Sequence, residues 1–86
     1  MNKETIQKQL KSYINTTKTI KNLREKKEYG YKSLVNMYTW VLNVSASLLK
    51  DYKNKDQKLF YETIKEFNFI DELKKASDYN VNNNFK

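Results

Sequence analysis

Apolar residues recur three and four positions apart along most of this chain, and the recurrence divides it into helical segments. In the first, Ile6, Leu10, Tyr13, Ile14, Ile20 and Leu23 fall on one helical face. Asn2 is suited to cap that helix, and Glu4 complements the positive end of its dipole. The segment closes on Lys26, Lys27, Glu28, Tyr29 and Gly30, with lysines in the last turn and then a glycine able to take the left-handed cap conformation. The pattern predicts a helix over about 3–28.

A second helix is predicted over about 32–52. Tyr31, Leu34, Val35, Tyr38, Val41, Leu42, Leu48, Leu49 and Tyr52 make its main stripe. Met37, Trp40 and Val44 form a second cluster displaced around the cylinder. Together they cover more of the circumference than a surface helix normally devotes to its core. The expectation is a helix covered from two sides, at the centre of the fold or of a homo-oligomer.

A polar stretch, 51–57, reads as a loop in which Asn54 or Asp56 caps the next helix. Leu59, Phe60, Ile64 and Phe67 then share one side of that third helix, about 56–67. Beyond Asn68 the apolar phase jumps by about a quarter turn, to Phe69, Ile70, Leu73 and Ala76. That jump predicts a kink near Asn68, or a split into a short fourth helix over 69–78. The fold class is all-α: a helical hairpin completed into a three- to four-helix bundle. Residues 1–79 make one domain, and the asparagine-rich 80–86 reads as a flexible polar tail.

One alternative competes. Positions 6, 10, 13, 17, 20, 24, 27, 31, 34, 38, 41, 45, 48 and 52 keep an unbroken heptad register, which read literally gives one long coiled-coil helix. Thr17, Arg24, Lys27 and Ser45 would then occupy the seam. Charges just before a glycine look like a helix end, so the broken hairpin is favoured.

Composition supports the helical reading and narrows the chemistry. There is no proline and Gly30 is the only glycine, too few turn residues for a chain of strands. Eighty-six residues bury a thin core, so stability is expected to be a few kcal/mol or to lean on a partner subunit. With neither histidine nor cysteine, the usual bases, nucleophiles and soft metal ligands are missing. One glycine cannot build a phosphate-cradling loop. Ser47 and Lys50 match a serine–lysine spacing, but on an amphipathic helix with nothing resembling an oxyanion site. Glu62, Glu66, Asp71 and Glu72 each have lysines nearby and read as solvated helix pairs. The chain is read as a non-enzyme with no cofactor and no metal.

The absence of cysteine gives no sign of an oxidising compartment. The polar stretch after Met1 has no apolar core of a signal peptide. The uncharged run 33–49 is short and too polar to span a bilayer. The expected location is cytoplasmic, with peripheral membrane binding a minor reading. Lysine, asparagine, isoleucine and tyrosine, all encoded by AT-rich codons, are abundant. This points to an AT-rich genome such as that of a low-GC bacterium, its phages or another mobile element.

Net charge is +7 and uneven: residues 1–32 carry nine basic and three acidic side chains, and residues 50–86 carry eight and seven. Lys8, Lys11, Lys18, Lys21 and Lys26 fall to one side of the first helix's apolar stripe, with Arg24 the only arginine. Such a ridge suits an anionic partner, nucleic acid in particular, through phosphate contacts. The aromatic residues suit a protein partner instead, because tyrosine and tryptophan anchor interfaces. Tyr29, Tyr31, Met37, Trp40 and Val44 are the interface candidates. The leading expectation is a small regulatory, inhibitory or adaptor protein that binds another protein. A nucleic-acid-binding protein is the alternative.

Overall fold

The computed structural model describes residues 2–76, which form four α-helices and no strand. They are α1 (Lys3–Lys26), α2 (Tyr31–Lys55), α3 (Gln57–Phe67) and α4 (Phe69–Ala76). The hairpin of α1 and α2 is therefore present, and the single long helix is not. The polar tail 80–86, and the predicted extension of α4 to residue 78, lie outside the described residues.

Local chemistry sets each boundary. The Asn2 side chain accepts hydrogen bonds from the Thr5 N–H and hydroxyl, both at 2.9 Å, and starts α1. Its end falls two residues earlier than the sequence suggested. Gly30 is left-handed as expected, but the residue that caps α1 is Lys27, which is also left-handed (φ 51°) and donates its N–H to the Leu23 carbonyl at 3.1 Å. Gly30, at φ 79°, instead turns the chain into α2. The predicted loop at 51–57 is also corrected, since α2 continues to Lys55. Nothing in that stretch breaks a helix, and Tyr52 packs against the core and holds the last turns in place. Asp56 alone separates α2 from α3, and its carboxylate accepts from the Leu59 N–H at 3.1 Å. Asn68 (φ 56°) closes α3 and splits off α4, as the phase jump required.

The core joins Ile6, Leu10, Tyr13 and Ile14 of α1 to Leu49, Phe60, Phe69, Leu73 and Ala76. Tyr13 meets Phe69 edge-on at 5.8 Å between ring centres, and burial pushes the Tyr13 phenol above its ordinary pKa. Thr63, which the apolar pattern passed over, is fully buried; its hydroxyl is satisfied by donating to the Leu59 carbonyl at 2.7 Å. Gln9 donates to the buried Ser45 hydroxyl and ties α1 to α2. Lys3 and Glu66 pair at 2.6 Å, but both are well exposed, so the pair adds little stability.

The central helix is α1, not α2. It packs against all three others, whereas α2 touches only α1 and α3 among the described residues. Helix lengths explain this. At 1.5 Å per residue α3 and α4 rise only about 16 and 12 Å, against about 36 Å for each hairpin helix. They cover the end of the hairpin that holds Ile6, Leu10, Tyr13 and Ile14. Towards the Gly30 tip, Ile20 and Val35 are the buried apolar residues outside that cluster. The molecule is correspondingly long, 43 × 21 × 20 Å.

Candidate protein-binding face

With α1 on one side of α2 and no helix opposite it among the described residues, the apolar residues of α2 sort by helical column. Val35, Leu42 and Leu49 form the innermost column, with Leu49 in the main core, Leu42 packed against it and Val35 buried nearer the tip. Tyr31, Tyr38, Ser45 and Tyr52 form the next, buried or half-buried. Leu34, Val41 and Leu48 form a third column and are exposed, at 41%, 37% and 38%. The sequence pattern placed those three in the packed stripe. Beside them lie Met37 and Val44, and then Trp40, which is 68% exposed. Leu34, Met37, Val41, Val44 and Leu48 are thus a solvent-facing stripe at heptad spacing, flanked by Trp40. The far side of α2 is polar, with exposed Lys32, Asn36, Asn43, Ser47 and Lys50.

The neighbouring side of α1 is just as regular. Thr5, Gln9, Ser12, Thr16, Thr19 and Leu23 repeat at four and three, and none is charged. Gln9 belongs to this strip and bonds to Ser45, which lies within one turn of both Val41 and Leu48. The strip therefore borders the apolar stripe. Between Leu34 and Leu48 the two make one charge-free face, on a chain in which 31% of residues are charged, and past Leu48 the same columns of α2 end in exposed Asp51 and Lys55.

Met37, Trp40 and Val44 are brought together on this face. Tyr29 is not among them: it is wholly exposed in the link between the helices. Tyr31 opens α2 in the half-buried column that borders α1. Leu34, Val41 and Leu48 are face residues that sequence reasoning assigned to the core. Their heptad column was visible, but nothing local says which of two equally apolar columns meets α1.

The lysines lie on another side of α1. Lys8, Lys11 and Lys18 are exposed around Asn15, and a shallow groove lined by Lys8, Lys11, Ser12, Asn15, Thr16 and Thr19 marks their border with the uncharged strip. Lys26 is exposed in line with Lys8. Lys21 is half-buried and pairs with Glu25 at 3.9 Å. Arg24 is exposed but turned about 120° round the helix from Lys18, away from the ridge. Acidic groups intrude on the ridge: Glu72 of α4 shares a groove with Lys11 and Lys18, and Glu4 lies one turn from Lys8.

Among the described residues no group of three or more acidic side chains is placed to hold a metal ion, and no helix is long and apolar enough to cross a membrane. Ser47 and Lys50 are both exposed on the polar side of α2. No protein-family model, curated protein or solved structure matches the chain.

Proposed function

We propose that this chain is a non-enzymatic binding protein that engages another polypeptide through the charge-free face of its hairpin. The observation that carries the reading is the exposed heptad stripe Leu34, Met37, Val41, Val44 and Leu48 with Trp40 beside it. Isolated exposed apolar residues need no explanation, but a contiguous row at helical spacing marks a recognition surface. A stripe read at i, i+3, i+4 and i+7 suits a partner helix laid alongside it. A large exposed tryptophan with methionine nearby matches the residue types that anchor interfaces. Such a surface serves a regulator, an inhibitor or an adaptor, whose work is to occupy or join other proteins. The AT-rich composition fits a phage or mobile-element origin, where small proteins of this kind are common.

A second reading keeps the lysine side of α1 as a nucleic-acid contact, supported by Lys8, Lys11 and Lys18 exposed around Asn15. Glu4 and Glu72 on the same side weaken it, and the only arginine points elsewhere. The apolar face has no such internal opposition, so the protein-binding reading is preferred.

Affinity capture from the source cell separates the two, using the wild-type chain and Val41→Glu as baits, with and without nuclease. The protein-binding reading expects nuclease-insensitive recovery of a polypeptide that Val41→Glu loses. Recovery that nuclease abolishes and Val41→Glu leaves intact would transfer the function to the lysines.

A further inference from the structure

We infer that the polypeptide received by this face is a second copy of the same chain, its α2 antiparallel to the first about a two-fold axis at Val41. This rests on the reading of the face as a protein-binding one, and it names the occupant.

The stripe is nearly its own mirror in sequence. Leu34 and Leu48 lie seven residues either side of Val41, while Met37 lies four before it and Val44 three after. Turned end for end about Val41, Leu34 of one copy meets Leu48 of the other. Met37 falls within one residue of Val44, and Val41 meets itself. A two-fold pair needs one surface that complements itself in this way.

Charge points to the same arrangement. A chain of net charge +7 repels its own copies, so self-association requires a face without lysine. Residues 33–49 carry no charge at all. The nearest bracketing charges, Lys32 and Lys50, are each nine residues from Val41, which turns both to the opposite side of the helix; on the side of the stripe, charge returns only beyond Leu48, at Asp51 and Lys55. The threonine, serine and glutamine strip of α1 adds uncharged, mostly small side chains at the flank, so a second hairpin can approach closely and complete a four-helix arrangement.

Area and the thin tip support the pairing. With side chains of the size of Leu, Val and Trp exposed to these extents, the stripe offers roughly 500 Å² per copy, so a pair buries about 1,000 Å² before any rim is added. That reaches the size at which specific interfaces begin. The hairpin tip buries Ile20 and Val35 and little else, and α3 and α4 do not cover it. An antiparallel partner lays its own α2 over that tip. A parallel one would set the two tips side by side, with Arg24, Lys26, Lys27 and Lys32 from each copy crowded together.

Sedimentation equilibrium of the full chain, from roughly 1 to 100 µM, tests the association. The expected wild-type mass is twice 10.4 kDa. Val41→Glu sets two carboxylates against each other at the axis and is expected to sediment as a 10.4 kDa monomer with unchanged far-UV circular dichroism. Because the chain has no cysteine, the orientation is tested independently by mixing Leu34→Cys and Leu48→Cys chains with a short bis-maleimide. Cross-links between the two variants are expected, and Leu34→Cys chains alone are expected to stay unlinked. A wild-type monomer throughout the range overturns the inference. So does a dimer that folded Val41→Glu leaves intact, or efficient linking of Leu34→Cys chains to one another. If the wild type is monomeric while Val41→Glu still abolishes nuclease-insensitive capture of a different protein, self-association falls and the protein-binding reading stands. If Val41→Glu changes neither mass nor capture, both fall.

Discussion

Replacing Trp40 by alanine separates a side chain that builds the fold from one that waits for a partner. Trp40 is 68% exposed, so only about a third of it is buried. For an aromatic of about 250 Å², that is roughly 80 Å², or about 2 kcal/mol at 25 cal/mol per Å². The figure is an upper bound, because the unfolded chain also shields part of the ring. Alanine is the better helix former and returns roughly 0.5 kcal/mol. The net cost to the monomer is therefore at most about 1.5 kcal/mol. Leu10→Ala, at a fully buried position, is expected to cost about 2–5 kcal/mol. Urea unfolding followed by far-UV circular dichroism, repeated across protein concentrations, measures both. At the lowest concentration Trp40→Ala should unfold close to the wild type. As concentration rises the wild type should gain stability by mass action and Trp40→Ala should gain less. A loss of about 3 kcal/mol or more for Trp40→Ala, independent of concentration, would place Trp40 in the core and refute the assignment of the face.

Lys27→Gly should stabilise the chain by about 1 kcal/mol, since Lys27 holds a left-handed conformation (φ 51°) that glycine adopts without penalty; an unchanged urea midpoint would contradict that. Asp56→Ala removes the cap on α3 and should cost about 1 kcal/mol, with faster amide exchange at Leu59, whose N–H loses its acceptor. Tyr13 adds a pH dependence. Burial raises its folded pKa, so the folded state keeps the phenolic proton to higher pH than the unfolded chain does. That contribution is whole below the unfolded pKa of 10.0 and is lost as pH rises from there towards the folded value. The measurement is the difference from Tyr13→Phe, which isolates the contribution of the phenol. The wild type should lose stability more steeply above about pH 10, and equal slopes would dismiss the effect.

Much of this fold was legible because the signals that mark its boundaries are local. Asn2 and Asp56 cap through their own side chains, and the phase jump at Asn68 is a change of register within a few residues. The extent of α2 was less legible. Residues 51–55 are polar, and what keeps them helical is Tyr52 reaching the core, a tertiary contact. The candidate face shows the limit most clearly. Leu34, Val41 and Leu48 and the neighbouring Val35, Leu42 and Leu49 are two adjacent columns of nearly the same composition. A hydrophobic pattern counts both as core. Only the placement of α1, and the shortness of α3 and α4, decides that one column is buried and the other faces water. The uncharged strip of α1 was passed over for a similar reason: Thr5, Ser12, Thr16 and Thr19 carry no apolar signal, and their meaning lies in bordering the stripe. Thr63 was missed because a threonine whose hydroxyl is satisfied by its own helix packs as an apolar residue does.

The most direct test of the working surface is site-resolved photo-crosslinking in the source cell, with a benzophenone amino acid placed in turn at Met37 on the apolar stripe and at Asn15 among the lysines. Efficient crosslinks from position 37 to a polypeptide, whether a second copy or another protein, with few from position 15, are the expected result. Crosslinks to nucleic acid from position 15, with none to protein from position 37, would contradict it.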